Sequence, residues 1–399
     1  MIYVHVPFCR SFCTYCDFYS EAVAKCRKAD EVMKQDALFG DFAEALAAEI
    51  ALRSGEITDN VNTLYVGGGT PSVLPLSAFA RMMDAFHSVG HAGPYDEFTV
   101  EVNPEDIVEK GPAYVEGLMK LGVNRISMGV QSFDDEILRF MNRRHDSQTA
   151  VSAYAVLEEA GVQNISIDLI FGLPQLSSPR WQETVDRALT ISTRGNLPKH
   201  ISSYQLSVEP GSMLAKLVDR GVWREADEDL CQQQYSILCD SLGAAGYNHY
   251  EISNFALPGY EARHNSAYWR HVPYIGLGPG AHSMRSSVVA VSEDVDVQCP
   301  SIERRWNRED LAAYIKNPES VQDGEELTSE QVALEKIMLG LRTSDGVPES
   351  YLRRHCDIEE LEKALRSVNL EPTMVGGRCN LRIPENRFFI SDAIICALV

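Results

Sequence analysis

The first 210 residues of this 399-residue chain predict an α/β fold: a partial (β/α)6 barrel, open on one side, followed by a mostly helical C-terminal domain. Three observations carry this expectation. Strand-like and helix-like segments alternate six times before residue 210, and β-α units in series build a parallel sheet. Polar and glycine-rich residues fall at or just past the carboxyl ends of the strand candidates, the face on which parallel barrels gather their catalytic groups. After residue 210 the alternation stops, and from residue 309 the chain reads mainly as helices.

The strand candidates are 1–6, 63–67, 97–102, 124–130, 164–170 and 200–206, all rich in β-branched and aromatic residues. Helical periodicity separates them at 37–53, 76–89, 112–121, 134–142, 148–160 and 180–193. Ser77, Asp134 and Pro179 suit helix starts, and Gly122 and Gly161 fall where helices end. Residues 211–248 read as helical with a break near Gly221. Residues 249–284, rich in Gly, Pro, Tyr and His, read as an ordered functional loop region. A polar stretch at 292–304 reads as a linker, and helices follow at 309–316, 329–341 and 349–368. A short hairpin is expected near 380–391, before a terminal apolar run. The expected division is 1–210 for the barrel, 211–300 for a connecting region and 301–399 for the C-terminal domain.

Composition narrows the function. With 23% charged and 45% hydrophobic residues the chain reads as an ordinary globular protein. A net charge of −21 argues against nucleic-acid partners, which need clustered Lys and Arg. No apolar run reaches 18 residues, so no membrane span is expected. Met1 runs straight into a strand with no basic leader, which points to a cytoplasmic location. Seven of the ten cysteines are scattered without metal-ligand spacing and read as reduced thiols.

The other three, Cys9, Cys13 and Cys16, form a Cys-x3-Cys-x2-Cys run directly after the first strand. Three thiolates on a loop can hold three irons of a [4Fe–4S] cube and leave the fourth open. Cys13 and Cys16 alone would also match a redox Cys-x-x-Cys, but such a pair has no use for Cys9. Gly67-Gly68-Gly69-Thr70 follows the second strand, either as a tight turn or as a place where backbone approaches a ligand. Glu101, Gln131 and Asp168 sit at strand ends and suit the ammonium and hydroxyl groups of a ligand. Arg143 is either a clamp for a carboxylate or a surface ion pair, and Tyr3 either flanks the site or packs in the core.

The cysteine spacing, with Tyr15 before the third cysteine, resembles that of the radical S-adenosylmethionine (SAM) enzymes. The resemblance implies a radical SAM barrel in which the open iron chelates SAM and an electron from the cluster cleaves it. Four further segments narrow it: His5-Val-Pro-Phe-Cys9, Gly67-Gly-Gly-Thr-Pro-Ser72, Asn124-Arg-Ile-Ser-Met-Gly-Val-Gln131 and Asp168-Leu-Ile-Phe-Gly-Leu-Pro174. Together they resemble the oxygen-independent coproporphyrinogen III dehydrogenase group, over nearly the whole chain. By motif match the resemblance implies cluster ligands at Cys9, Cys13 and Cys16. It implies SAM contacts at Tyr3, Tyr15, Gly68, Gly69, Thr70, Glu101, Gln131, Arg143 and Asp168.

Two departures separate the chain from the dehydrogenase itself. Phe18 stands where that enzyme has a fourth cysteine, and the first strand begins at residue 1 with no extension before it. In the other direction, His264-Asn-Ser-Ala-Tyr-Trp269, with Glu251-Ile-Ser-Asn-Phe-Ala256 and Gly276-Leu-Gly-Pro-Gly-Ala-His-Ser283, resembles the HemW heme chaperones. That resemblance implies a protein that binds heme and delivers it to an acceptor protein, with a reductant protein serving the cluster. A histidine is a common axial ligand of heme iron, so His264 is the candidate heme contact, with Tyr268 and Trp269 as flat packing surfaces; the other reading of these residues is that His264 caps or hydrogen-bonds a loop and Tyr268 and Trp269 fill the domain interface. The alternative is the dehydrogenase reaction, oxidative decarboxylation of two propionates, so whether the chain is an enzyme is left open.

Overall fold

The computed structural model describes residues 1–23, 28–57, 62–91, 93–286 and 301–399. Its centre is an open nine-stranded sheet. Six neighbouring strands run parallel in chain order: β1 (Ile2–Val6), β2 (Thr63–Gly68), β3 (Glu97–Val102), β4 (Arg125–Gln131), β5 (Ile165–Phe171) and β6 (His200–Gln205). These are the six expected strands, each within two residues of its predicted bounds. β1 and β6 do not pair, so the barrel stays open.

The strands alternate with a period of two. Val4, Val66, Phe98, Val100, Met128 and Ile167 belong to the buried apolar core. The alternate positions, Tyr65, Glu101, Arg125, Ser127, Asp168 and Ser202, line a cavity inside the barrel. The interior is therefore polar and hollow, whereas a closed eight-stranded barrel packs its interior with branched apolar side chains.

Local signals set most helix boundaries. Asn103, Asp134 and Asp146 accept hydrogen bonds from first-turn amides of helices Pro104–Lys120, Asp135–Phe140 and Ser147–Glu159. Gly111, at φ 70°, kinks the first of these. Ser77 and Pro179 lie in the first turns of Leu76–Ser88 and Ser178–Leu189.

Beyond β6 several expectations change. Residues 211–248 contain two helices, Met213–Asp219 and Glu228–Ala244. The segment 249–284 is not simply loop: it supplies β7 (Asn248–Glu251), β8 (Asn254–Ala256) and β9 (Ile275–Leu277). β8 adds antiparallel to β6 and pairs with β7, while β9 adds parallel to β1. Strands of three or four residues carry too little periodicity to announce themselves, and their neighbours in the sheet hold them.

The expected linker at 292–304 lies partly outside the described residues, and its end is strand Ile302–Asn307. That strand is the centre of an antiparallel sheet with His282–Ser286 and Gln322–Leu327. The single helix expected at 349–368 is two, Glu349–His355 and Ile358–Arg366, because Asp357 caps the second through the amides of Glu359 and Glu360. The hairpin lies earlier than expected, Glu371–Val375 with Arg378–Arg382, turning at Gly376 and Gly377. The terminal apolar run is helix Ser391–Leu398.

A buried polar hub joins this C-terminal third to the barrel. Glu49, wholly buried, accepts from Arg53 Nη1 (3.0 Å), Gly278 N (2.9 Å), Asn307 Nδ2 (2.8 Å) and the Tyr314 hydroxyl (2.7 Å). A charge this deep is tolerated only when paired and hydrogen-bonded, as here.

Candidate functional site

The carboxyl ends of the strands open into a cavity of about 510 Å³ lined by Cys9, Cys13 and Cys16 and by residues of β2 to β6. The cysteine loop leaves β1 and is fixed from both sides. On one side Gly69 N donates to Val6 O (2.9 Å) and Thr70 N to Phe8 O (2.7 Å). On the other, Thr14 N donates to Met141 O (3.2 Å) and Asn142 Nδ2 to Phe12 O (2.7 Å). His5 ties the far end of the loop: its Nε2 lies 2.8 Å from the Tyr19 carbonyl oxygen and its Nδ1 3.1 Å from the Tyr3 hydroxyl.

The glycine run serves this packing first. A Cβ on Gly68 would lie 2.6 Å from the His5 ring, and one on Gly69 would lie 2.7 Å from Phe8 O. Gly68 also takes φ 104°, a region L side chains avoid. Glycine here brings the second strand end against the cysteine loop, and both Gly68 and Gly69 still face the cavity, with Thr70 beside them.

The thiols differ in their surroundings. Cys9 Sγ lies 3.4 Å from Thr70 Oγ1. Cys13 Sγ accepts from Arg143 Nη1 at 3.3 Å, and Arg143 Nη2 donates to Gly129 O at 2.6 Å. Arg143 is thus beside the cysteine loop and not in a surface ion pair. Burial pushes the Cys16 thiol up to about 12 and raises that of Cys9. Thiolate ligation at neutral pH therefore requires positive charge, which Arg143 and bound iron would supply.

Below the loop the carboxylates converge. Glu101 accepts from the Tyr65 hydroxyl (2.7 Å) and Gly68 N (3.2 Å), and burial pushes its carboxyl up to about 7. Asp168 accepts from Ser127 Oγ at 3.3 Å and bonds Ser202; burial raises its carboxyl too. Gln131 lines the cavity at φ 67°, beyond a bulge between Gly129 and Gln131. A non-glycine residue held there stores strain, a feature that clusters at binding sites. Tyr15 lines the cavity and burial raises its hydroxyl. Tyr3 is not among the lining residues; it packs against Tyr65 with ring centroids 6.2 Å apart.

Sequence reasoning missed Tyr65, Arg125, Ser127, Ser202 and Tyr204, which also line the cavity. The period-two alternation through Glu101, Gln131 and Asp168 was the signal that could have found them. Arg125 is 2% exposed, and its Nε, like that of Arg143, is buried without a hydrogen-bond partner.

The candidate heme contact His264 is engaged within the fold in this structure. It lies in helix Arg263–Trp269, whose start bonds Thr63 and Glu97, the first residues of β2 and β3. Its Nδ1 is 2.9 Å from Thr63 Oγ1 and its Nε2 3.1 Å from the Tyr268 hydroxyl. Its backbone amide donates to Glu97 (3.0 Å), and its ring stacks on Tyr65. The ring is 1% exposed, so neither nitrogen is free for iron in this conformation. The Tyr268 ring meets those of His264 and Tyr274 edge to face. Only Asn265 of this motif reaches the cavity.

A half-open parallel barrel with three thiols, two carboxylates and a strained glutamine at its carboxyl end defines a radical SAM-type site. Residues 3–188 match the family model of the radical SAM superfamily. The chain is 31% identical to the heme chaperone HemW of Synechocystis over 365 residues, 91% of this chain and 82% of that protein. It is 33% identical to HemW of Lactococcus lactis, over 86% of this chain and 82% of that protein. With HemW of Escherichia coli it shares 34% identity, over 70% of this chain and 69% of that protein. The chain belongs to the HemW family of the radical SAM superfamily. Among solved structures, the coproporphyrinogen III oxidase HemN of Escherichia coli, a radical SAM enzyme, superposes with a TM-score of 0.75 over 99% of this chain and 89% of that one. At 19% identity it shares the fold alone.

The family implies a [4Fe–4S] cluster and SAM, and the residues fit both. Three thiols on one loop face a cavity whose polar walls carry the unpartnered Nε atoms of Arg125 and Arg143. Among the described residues no helix is long and apolar enough to cross a membrane.

Proposed function

We propose that this protein binds heme and transfers it to acceptor proteins, using residues 1–210 to hold one [4Fe–4S] cluster and SAM. Membership of the HemW family supports the reading, and one observation in this molecule carries it. Phe12 and Phe18, 54% and 63% exposed, stand on the cysteine loop at the mouth of the cavity. Covering a large apolar side chain gains about 1.5–3 kcal/mol, and a porphyrin is a flat apolar ligand suited to aromatic faces. Phe18 also occupies the position of the fourth cysteine of the dehydrogenase group, which argues for heme handling over porphyrinogen chemistry.

In this reading Cys9, Cys13 and Cys16 would hold the cluster, which would bind SAM and supply one-electron chemistry when loaded. Gly68, Gly69, Thr70 and Glu101 would take the SAM amino group, and Gln131, Arg143 and Asp168 its remaining polar groups, with Tyr15 as a wall and Tyr3 packed behind it against Tyr65. The described residues beyond 210 would close and brace the barrel. Oxygen-sensitive clusters and free thiols suit a reducing compartment, the cytoplasm, where a reductant protein would serve the cluster.

The test uses anaerobically reconstituted protein. Heme titrated into it should give a saturable Soret change, weakened in Phe12→Ser and Phe18→Ser and kept in His264→Ala. The bound heme should pass to an apo-hemoprotein. Sustained conversion of coproporphyrinogen III in the presence of SAM and reductant would overturn the chaperone reading.

A further inference from the structure

Away from the cavity, the fold brings together three side chains with metal-ligating atoms from three different elements. Cys239 belongs to helix Glu228–Ala244, His249 to β7, and Glu385 to the 3-10 helix Glu385–Ile390. Their ligating atoms all lie within 4.8 Å of one another. Cys239 Sγ is 4.0 Å from His249 Nδ1, and Glu385 Oε1 is 3.2 Å from the same nitrogen. Zinc bonds of about 2.0–2.3 Å in a tetrahedron leave ligand atoms roughly 3.5 Å apart. The cluster is therefore within about an ångström of a closed site, and the carboxylate that must move is 60% exposed and free to do so.

A second observation points the same way. The His249 imidazole is immobilised as a ligand would be: its side chain is 1% exposed, stacked on Phe255 at 4.0 Å and met edge-on by Phe388. Its other nitrogen, Nε2, is 3.4 Å from the Ile252 carbonyl oxygen and 3.3 Å from the Tyr235 hydroxyl. A metal at Nδ1 would leave Nε2–H as a donor toward the Ile252 carbonyl and the Tyr235 hydroxyl, the arrangement that orients metal-ligating histidines.

We propose that Cys239, His249 and Glu385 bind one divalent cation of the zinc class, with a fourth position open to solvent beside Glu385. One thiolate, one imidazole and one carboxylate form the donor set that borderline-soft Zn²⁺ takes, and one that Mg²⁺ and Ca²⁺ do not. On binding, the Cys239 S–H bond breaks, the sulfur–metal bond forms and one proton goes to solvent. The site would pin the C-terminal segment to helix Glu228–Ala244 and to β7 at the edge of the sheet, independently of the iron–sulfur loop.

The test starts from cluster-loaded protein, dialysed with ZnSO4 and counted for both metals. Wild type should hold one zinc per chain above its iron. Its zinc edge spectrum should show a single sulfur neighbour at about 2.3 Å, with the rest nitrogen or oxygen. Cys239→Ser should lose the sulfur signal and bind zinc at least tenfold more weakly. Glu385→Gln, exposed and harmless to folding, should weaken binding with iron content unchanged. Co²⁺ should give a thiolate-to-metal charge-transfer band in wild type that Cys239→Ser lacks. No zinc above iron in wild type would overturn the proposal. So would zinc that survives Cys239→Ser, or a spectrum with three sulfurs, which would place the metal on the Cys9 loop.

Discussion

Gly69→Ala tests how the cysteine loop is held. An added Cβ would lie 2.7 Å from Phe8 O, 2.9 Å from Val6 O and 3.0 Å from Phe8 N. All three are backbone atoms, so no rotamer change makes room. The strand end must back away from the loop, and two hydrogen bonds span that gap: Gly69 N to Val6 O (2.9 Å) and Thr70 N to Phe8 O (2.7 Å). Each is worth about 0.5–1.5 kcal/mol, and forcing a methyl into packed backbone costs about 1–3 kcal/mol. The expected destabilisation is thus roughly 2–6 kcal/mol. The same shift carries Thr70 away from Cys9, so iron loading should fall with stability. Gly40→Ala and Gly243→Ala serve as controls: both glycines lie within helices, with nothing within 4 Å of the added atom. Each should stabilise by about 0.5–1 kcal/mol. Urea midpoints and iron per chain after anaerobic reconstitution report both quantities. A Gly69→Ala protein with wild-type midpoint and full iron would refute the packing argument.

Cys13→Ala should leave no stable cubane, since two thiolates cannot hold it; full iron content with an unchanged paramagnetic signal would remove Cys13 from the ligand set. Asp168→Ala and Arg143→Ala should each weaken SAM by about 1.5–3 kcal/mol, roughly tenfold to hundredfold in Kd, and unchanged affinity in both by equilibrium binding would exclude them. Glu251 gives a pH signature: its buried carboxyl is pushed up from 4.5 to about 7. Between those values the folded chain keeps a proton that the unfolded chain has lost, so this group's contribution falls as pH rises through the window and is level above it. Glu251→Gln should therefore gain stability relative to wild type on the order of 1–3 kcal/mol at pH 8 and little at pH 4.5; a gap that is the same at both would count against the burial of an ionising group there.

The sequence by itself determined the parallel sheet, its six strands, the cysteine loop and the carboxylates at the strand ends. These features repeat within a few residues: period-two alternation, capping side chains and closely spaced thiols are written locally, so one segment at a time suffices to read them. What the tertiary structure alone decided are meetings between distant segments. Arg143 reaches Cys13 across 130 residues, and the glycine run proved to be shaped by His5 and Phe8 as much as by any ligand. His264 reads as a free ligand in its motif, yet Thr63, Glu97 and Tyr268 take up its polar atoms at the far end of the barrel. Cys239 was passed over as an unspaced thiol because its neighbours His249 and Glu385 are ten and 146 positions away. A side chain's type records what it can bond; only the folded chain decides which of those bonds are already taken, because long-range packing leaves no periodic mark on the residues it joins.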